Sequence, residues 1–425
     1  MNLDAIYTTF LSCDSISTDT RNIEPKCMFV ALKGDRFNAN TFAQEALEKG
    51  ASYVIIDDPN YFVDERTILV ADSLETLQKL AHLHRKTLGL PVIALTGSNG
   101  KTTSKELIAA VLSKKFRTIA TKGNLNNHIG VPLTLLSFTK ETEIGIVEMG
   151  ANHQKEIEFL CSLAEPDYGY ITNFGKAHLE GFGGFEGVIL GKSELYTHLF
   201  AHDKMIFINI DDPIQVEKAS NHQYFSFSLQ QKKGDIQFSE VSANPFVTVN
   251  YNNEVIQSHL IGLYNATNIC AAITIGNYFK VPDSAIKLAI ENYTPTNNRS
   301  QILQKNGHEI LLDAYNANPS SLKLALVNFI QLEKCPKIAV LGDMFELGES
   351  SSEEHRAIVD LVDEDNNLTC HFIGKWFYSI RKQQSNLYFY PDFEAFQKTF
   401  TLSKPSLLLI KGSRGMALER TLDLI

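Results

Sequence analysis

The fold is decided by the stretch Val92–Leu112, VIALTGSNGKTTSKELIAAVL. An apolar run from Val92 to Leu95 enters Thr96 and Gly97. The chain then turns through Gly100 and Lys101 into a segment whose Leu107, Ile108, Val111 and Leu112 recur with helical spacing. A buried strand, a glycine turn and a helix in that order form one unit of a parallel α/β sheet. Glycines let backbone amides wrap an anion, and the first turn of the helix points further amides at it. Lys101 adds a point charge there, and Thr102 offers a hydroxyl suited to Mg²⁺. The common pattern G-x-x-x-x-G-K-[ST] is not met, because Leu95 takes the place of its first glycine and the loop is the tighter Gly97-x-x-Gly100. In this strand-to-helix setting Gly97, Gly100, Lys101, Thr102 and Thr103 predict a loop for the phosphates of ATP.

On the N-terminal side of this unit, residues 1 to about 85 alternate short apolar runs, CMFVAL and YVIID, with a helical stretch near Phe42 to Lys49. A small α/β domain is expected, with a boundary in HRKTLGLP (His84 to Pro91), where charge, Gly and Pro meet. On the C-terminal side, IGIVEMG, YGYITNFG and KMIFINI read as strands alternating with helices up to about Asn298. After NYTPTNNRSQ (Asn292 to Gln301), EILLDAYNANP, KIAVLGD, CHFIG and SLLLIKGS again read as strands that end in polar loops. The expected fold class is α/β with three domains: a small N-terminal α/β domain over 1–87, a central P-loop ATPase-like parallel sheet over 88–297, and a C-terminal Rossmann-like domain over 298–425. The length of 425 residues agrees, since single cores stop growing near about 250–300 residues. In such sheets ligands sit at the carboxyl ends of the strands, which directs attention to the polar residues just after each apolar run.

The composition narrows the function class. With 39 basic against 49 acidic residues, a net charge of −10, a general affinity for nucleic acid or an anionic membrane is not expected. Cys13, Cys27, Cys161, Cys270, Cys335 and Cys370 are scattered without a C-x-x-C pair, which suits neither a disulfide framework nor a zinc knuckle and fits a reducing cytoplasm. No secretory signal is visible, since the first ten residues carry Asp4 and lack a basic segment followed by an apolar core. The uncharged run Ile261 to Phe279 holds Asn265, Thr267, Asn268, Thr274 and Asn277, so a buried helix with polar contacts is expected rather than a membrane span. Glu148 follows the strand IGIVEMG and His178 follows another in ITNFGKAHLEGFGG. Carboxylate, imidazole and the Thr102 hydroxyl converging at strand ends suit Mg²⁺ held by few protein ligands plus phosphate oxygens. The tracts GNLNNHIGVP and DAYNANPSS are dense in Asn, whose amides suit peptide carbonyls and sugar hydroxyls as well as Asn-Pro turns. Taken alone, Lys192 in GKSELYTHL is a solvated charge at the start of a helix.

These motifs, in this order, resemble the Mur ligase family of peptidoglycan synthesis. The likeness runs through TDTRNIEPKCMFVALKGDRFNANTF, TGSNGKTT, NLNNHIGVPLTLL, EMGANHQKEI, ITNFGKAHLEGFGG, DAYNANPSS, LGDMFELGESS and IKGSRGM. The resemblance implies a first domain for a uridine nucleotide, with Asp19, Arg21 and Lys33 in its motif, and Asn126 and Asn127 toward the substrate. It implies that Gly97, Asn99, Gly100, Lys101, Thr102 and Thr103 hold the ATP phosphates and that Thr102, Glu148, His178 and Lys192 place magnesium. Lys192 matches a lysine that reacts with CO₂ to become a carbamate. Asn265 and Asn268 match positions facing adenine, and Arg299 and Asp313 match residues at the nucleotide between the central and C-terminal domains. Lys101, Lys192, His178 and Arg299 form the implied catalytic set. Three places depart from the family pattern: Tyr264 stands where a His is common, Asn298 where a Gly usually precedes the Arg, and GVILGK over 187–192 where the run is commonly richer in alanine.

The DAYNANPSS and LGDMFELG loops further imply the member of the family that adds a dipeptide, with Asn316, Asn318 and Asp343 against it. The implied partners are UDP-N-acetylmuramoyl-tripeptide and D-Ala-D-Ala, without nucleic acid or membrane insertion, for a cytoplasmic monomer that uses ATP and Mg²⁺. A sister ligase adding one amino acid is the nearest alternative, although no DNPR-type motif lies in the C-terminal third. A non-catalytic nucleotide-binding protein is the alternative from another class.

Overall fold

The strand Val92–Thr96, buried along its whole length, lies inside a seven-stranded sheet. Its order is Ile236–Gln237, Tyr224–Ser228, Met205–Asn209, Tyr168–Ile171, Val92–Thr96, Ile144–Glu148 and Thr118–Ala120, all parallel. The computed structural model describes residues 2–35, 37–231, 233–296, 298–333, 336–363 and 367–425, so Cys335 lies outside the described residues. Period-2 alternation along Val92–Thr96 divides two cores. Ile93 and Leu95 pack with Leu107, Ile108 and Ile269, and Val92 and Ala94 belong to the apolar cluster that holds Leu160, Val188 and Leu195. Helices on both faces explain why the strands read as continuous apolar runs.

The uncharged run expected as a helix is one: Ala266–Tyr278 is buried from Ala266 to Gly276 apart from a half-buried Thr267. Among the described residues no helix is long and apolar enough to cross a membrane. The sequence around residue 250 is not the parallel α/β pattern expected there. Glu240–Ala243, Phe246–Tyr251 and Glu254–Ile261 form a separate antiparallel sheet. Alternating burial along the last two strands, and Asn252 and Asn253 both with positive φ, 49° and 63°, mark a hairpin with one solvated face.

The N-terminal sheet is parallel, in the order Ser15–Ser17, Cys27–Val30, Tyr53–Ile56, Thr67–Leu69. It is joined to the central sheet by the helix Ser73–Leu88, which Asp72 caps and Gly89 ends at φ 61°. Part of the charge in HRKTLGLP is buried. Arg85 is buried against the Ala164 carbonyl (2.8 Å) and the Asp167 carboxylate (2.9 Å), and His84 bonds the Tyr7 hydroxyl (3.1 Å) and Phe138 carbonyl oxygen (2.8 Å). The C-terminal sheet runs Gln301–Lys305, His308–Leu312, Leu407–Lys411, Lys337–Gly342, Leu368–Ile373, Leu387–Tyr390, parallel except for the first strand, which forms a hairpin with the second.

Candidate active site

The carboxyl ends of the central and C-terminal sheets face one another across a cavity of about 950 Å³. Residues 98–103 line it from the central side, and Arg299, Asp313, Tyr315, Asn316 and Asn318 from the other. Two glycines shape the loop at its base. Gly97 has φ 142°, and a Cβ on it would meet Thr172 Oγ1 at 2.0 Å. Gly100 has φ 76°, and a Cβ there would meet Asn268 Oδ1 at 2.5 Å. Asn99 is tied down by the strand-end pair Thr172 and Asn173: its N–H donates to Asn173 Oδ1 (3.1 Å), and its carbonyl accepts from Thr172 Oγ1 (2.6 Å) and Asn173 Nδ2 (3.0 Å). Lys101 arches over the loop and donates to the Gly97 (2.8 Å) and Ser98 (3.4 Å) carbonyls. Burial pushes its ammonium below the ordinary lysine range; Glu148 opposes the shift and Arg299 adds to it, so both charges lie within its field.

Glu148, 1% exposed, ends the strand beside this loop. Its Oε1 accepts from the Thr102 hydroxyl (3.2 Å) and from Asn126 Nδ2 (2.8 Å), while its buried Oε2 has no hydrogen-bond partner. A buried carboxylate oxygen without a partner is costly unless a cation meets it. Thr102 and Glu148 thus fit Mg²⁺, which keeps several waters and takes one or two carboxylates plus phosphate oxygens. Among the described residues no three His, Cys, Asp or Glu side chains gather into a metal cluster.

Lys192, in the helix Phe185–Ala201, is 1% exposed. Its Nζ donates to the Ala151 carbonyl (3.1 Å) and lies 5.0 Å from the centre of the Phe182 ring. Burial, with Lys101 nearby, holds its pKa well below the lysine range. His178 adopts φ 54° at the start of the short helix Leu179–Phe182, and its Nδ1 pairs with Glu346 of the C-terminal domain, whose carboxyl that imidazole lowers.

From the C-terminal side, Arg299 stacks on Tyr315, 3.5 Å from the ring centre. Asn298 before it sits at φ 57°, a left-handed conformation that Asn tolerates better than most residues, which explains how it replaces Gly. Ser300 N–H donates to Asp313 Oδ1 (3.1 Å), and Lys411 donates to Asp313 Oδ2 (2.5 Å). Asn318 caps the helix Pro319–Gln331 and crosses the cleft, its Nδ2 donating to Asn99 Oδ1 (2.7 Å). Asn316 Oδ1 accepts the Arg414 N–H (3.3 Å), and Asn127 Oδ1 caps the Gly130–Leu136 helix by accepting from Ile129 and Gly130. Asn265 and Asn268 are engaged with their own surroundings: Asn268 donates to Asn265 Oδ1 (2.9 Å) and accepts from the Ser104 hydroxyl (3.0 Å), directly behind the Gly97–Lys101 loop.

Two groups of expected site residues lie elsewhere. Asp19 and Arg21 pair with one another on the surface at 2.8 Å, and Lys33 pairs with Asp57 at 2.9 Å; none of the three lines the cavity. Asp343, expected beside Asn316 and Asn318, instead lines a second cavity of about 650 Å³ together with Glu346, and the His178 to Glu346 pair stands between the two spaces. Sequence reasoning passed over Thr172, Asn173 and Lys411 as site residues. Thr172, Asn173 and Lys411 stand at or just after a strand end, where the same rule that singled out Glu148 finds them.

The Mur ligase middle domain model matches residues 95–276, and the Mur ligase, glutamate ligase domain model matches 298–414. The UDP-N-acetylmuramoyl-tripeptide–D-alanyl-D-alanine ligase of Bacillus subtilis is 35% identical over 96% of this chain and 93% of its own. Its Escherichia coli counterpart is 32% identical over 96% and 93%. Among solved structures, MurF from Acinetobacter baumannii superposes with a TM-score of 0.85 at 30% identity, covering 100% of this chain and 98% of its own. MurF ligase from Thermotoga maritima, solved with ADP, gives 0.82 at 27% identity over 98% and 97%.

Proposed function

The chain belongs to the Mur ligase family, and on that premise we propose that its cleft joins the terminal carboxylate of a UDP-N-acetylmuramoyl-tripeptide to the amine of D-Ala-D-Ala while ATP becomes ADP and phosphate. A carboxylate is a poor electrophile at neutral pH. One of its oxygens attacks the γ-phosphorus, the bond to the bridging oxygen of ADP breaks, and an acyl phosphate results. The neutral amine of the dipeptide adds to the acyl carbon, and the tetrahedral intermediate expels phosphate to leave the amide. No enzyme nucleophile enters. The protein's work is alignment and charge neutralisation.

The observation that carries this reading is one cleft, built by two sheets, that sets Lys101 and the unpartnered Glu148 oxygen opposite Arg299 and Asp313. In it Gly97, Asn99, Gly100, Thr102 and Thr103 shape the phosphate loop, Lys101 neutralises the transferring phosphoryl group, and Arg299 adds a second cation from the closing domain. Thr102 and Glu148 hold Mg²⁺, which supplies further neutralisation when bound. Glu346 orients His178 through Nδ1, as carboxylates orient metal-ligating imidazoles. Lys192 carries a carbamate: burial and Lys101 favour its neutral amine, whose nitrogen bonds the carbon of CO₂ as a proton leaves to solvent, turning a neutral amine into an anionic oxygen donor. Asp19, Arg21 and Lys33 serve the uridine nucleotide, and Asn126 and Asn127 the muramoyl peptide. The division at residues 88 and 298 and a cytoplasmic monomer belong to the same reading.

The test is phosphate release by the purified chain with ATP, Mg²⁺ and the UDP-tripeptide, against D-Ala-D-Ala and a panel of single amino acids. Turnover specific to the dipeptide is expected, and Lys101→Ala should lower it by about two to three orders of magnitude with an unchanged melting curve. Equal turnover with one amino acid would make the chain a sister ligase, and nucleotide binding without turnover a switch protein.

A further inference from the structure

Lys411 has no part in the chemistry above, yet it is a cation only 3% exposed that lines the cleft. It ends the strand Leu407–Lys411, whose Ile410 lies opposite Leu312, so Lys411 and Asp313 emerge from adjacent strand ends. Its Nζ donates to Asp313 Oδ2 at 2.5 Å and to the Asn316 carbonyl at 3.2 Å. A buried ammonium persists only where such partners meet it.

Asp313 uses its other oxygen to hold the Ser300 N–H at 3.1 Å. The turn held there is not one the chain would choose: Asn298 and Ser300 both have positive φ, 57° and 47°, with Arg299 between them. Ser300 Oγ lies 3.3 Å from the Tyr264 hydroxyl and 3.4 Å from Asn265 Nδ2. Asn265 accepts from Asn268, which accepts from Ser104 in the helix that opens at the phosphate loop. Contacts of hydrogen-bond length therefore run from a strand end of the C-terminal sheet to the phosphate-loop helix of the central one.

We propose that Lys411 is a positioning residue for the nucleotide: by clamping Asp313 it sets the Arg299–Ser300 turn against the nucleotide side of the central domain. This rests on the reading that Arg299 and Asp313 serve the nucleotide.

The experiment measures mant-ADP binding, with Mg²⁺, to the full chain and to Lys411→Met, Lys411→Arg, Asp313→Asn and the Lys411→Met/Asp313→Asn double variant, with KM for each substrate alongside. Lys411→Met should weaken mant-ADP about tenfold and raise KM for ATP in step, leaving KM for D-Ala-D-Ala within about twofold, and Lys411→Arg should recover most of the loss. In the Asp313→Asn background, Lys411→Met should add less than about twofold, because the clamp is already broken. Should Lys411→Met lack a cooperative melt, Lys411→Gln, which keeps a donor without the charge, takes its place. An undiminished effect in the Asp313→Asn background overturns the proposal, since Lys411 would then act on its own. Normal mant-ADP binding by Lys411→Met beside weak binding by Asp313→Asn also overturns it and leaves the reading of Asp313 standing. Normal binding by Asp313→Asn removes that reading and the proposal with it.

Discussion

Glu148 of the central sheet and Asp343 of the C-terminal sheet occupy similar places, each at the carboxyl end of a buried parallel strand and each 1% exposed. Their bonding differs. Glu148 keeps Oε2 without a partner, whereas Asp343 Oδ2 accepts from the Trp376 N–H and Oδ1 from the Phe377 N–H, both at 3.0 Å, at the start of the helix Lys375–Ser379. The fit there is close, for a Cβ on Gly374 would stand 2.3 Å from the Asp343 carboxyl carbon. Burial raises the Asp343 carboxyl and those two N–H groups restrain the rise. A strand-end position therefore says where chemistry can sit. Whether the carboxylate is free for it depends on what the neighbouring backbone has already taken.

The largest effect expected from this contrast is on Glu148→Gln. It should cut turnover by about two to three orders of magnitude, because the amide cannot supply an anionic oxygen to the cleft. Its melting temperature should hold, and a marked fall there would place Glu148 with Asp343 as a structural group. Next, Lys192→Met should abolish most activity yet melt no lower than the parent, since it replaces a buried amine that has a single carbonyl partner with an apolar chain.

The pH dependence of that second variant follows from the depressed pKa of Lys192. Between its lowered folded value and about 10.4 the unfolded chain binds more protons than the folded one, so stability gains with rising pH across that window. In CO₂-free buffer the stability advantage of Lys192→Met over the parent should therefore shrink as pH rises toward 10. A constant difference between the two melting curves would mean that Lys192 is not held neutral by its surroundings.

Asp343→Asn should act in the opposite sense, costing about 1–3 kcal/mol of stability through a lost backbone acceptor, with kcat per folded molecule little changed. A large loss of kcat in a fully folded Asp343→Asn would restore it to the dipeptide's side of the cleft. The smallest effect belongs to Asn298→Gly. Asn already adopts the left-handed conformation there, so the change should stay within about 0.5 kcal/mol, measured by urea unfolding, and KM for ATP should not move.

Much of this molecule was legible before any coordinates. The run VIALTGSNGKTT carried the strand, the turn and the helix because apolar period, glycine freedom and helix-start chemistry are local properties. The buried helix Ala266–Tyr278 was legible for the same reason. The antiparallel sheet at 240–261 was missed although its signs, two alternating strands around Asn252 and Asn253, were also local. In the boundary segment His84 to Pro91 the part that could not be read was not local. The charge of Arg85 looks solvated in one dimension and is buried by Ala164 and Asp167, residues about eighty positions away.

Local order in the chain thus settled the α/β class, the glycine turn from strand to helix and the identity of the polar residues at each strand end. Packing in three dimensions alone decided which of those residues kept a free valence. Asn318 reaches Asn99 across 219 positions, Lys411 meets Asp313 across 98, and Asp343 meets the Trp376 N–H across 33. Hydrogen-bond capacity is a property of a residue type, but its satisfaction is a property of neighbours. A buried carboxylate oxygen keeps its full capacity for a ligand only where folding has brought it no donor, and no pattern along the chain records that.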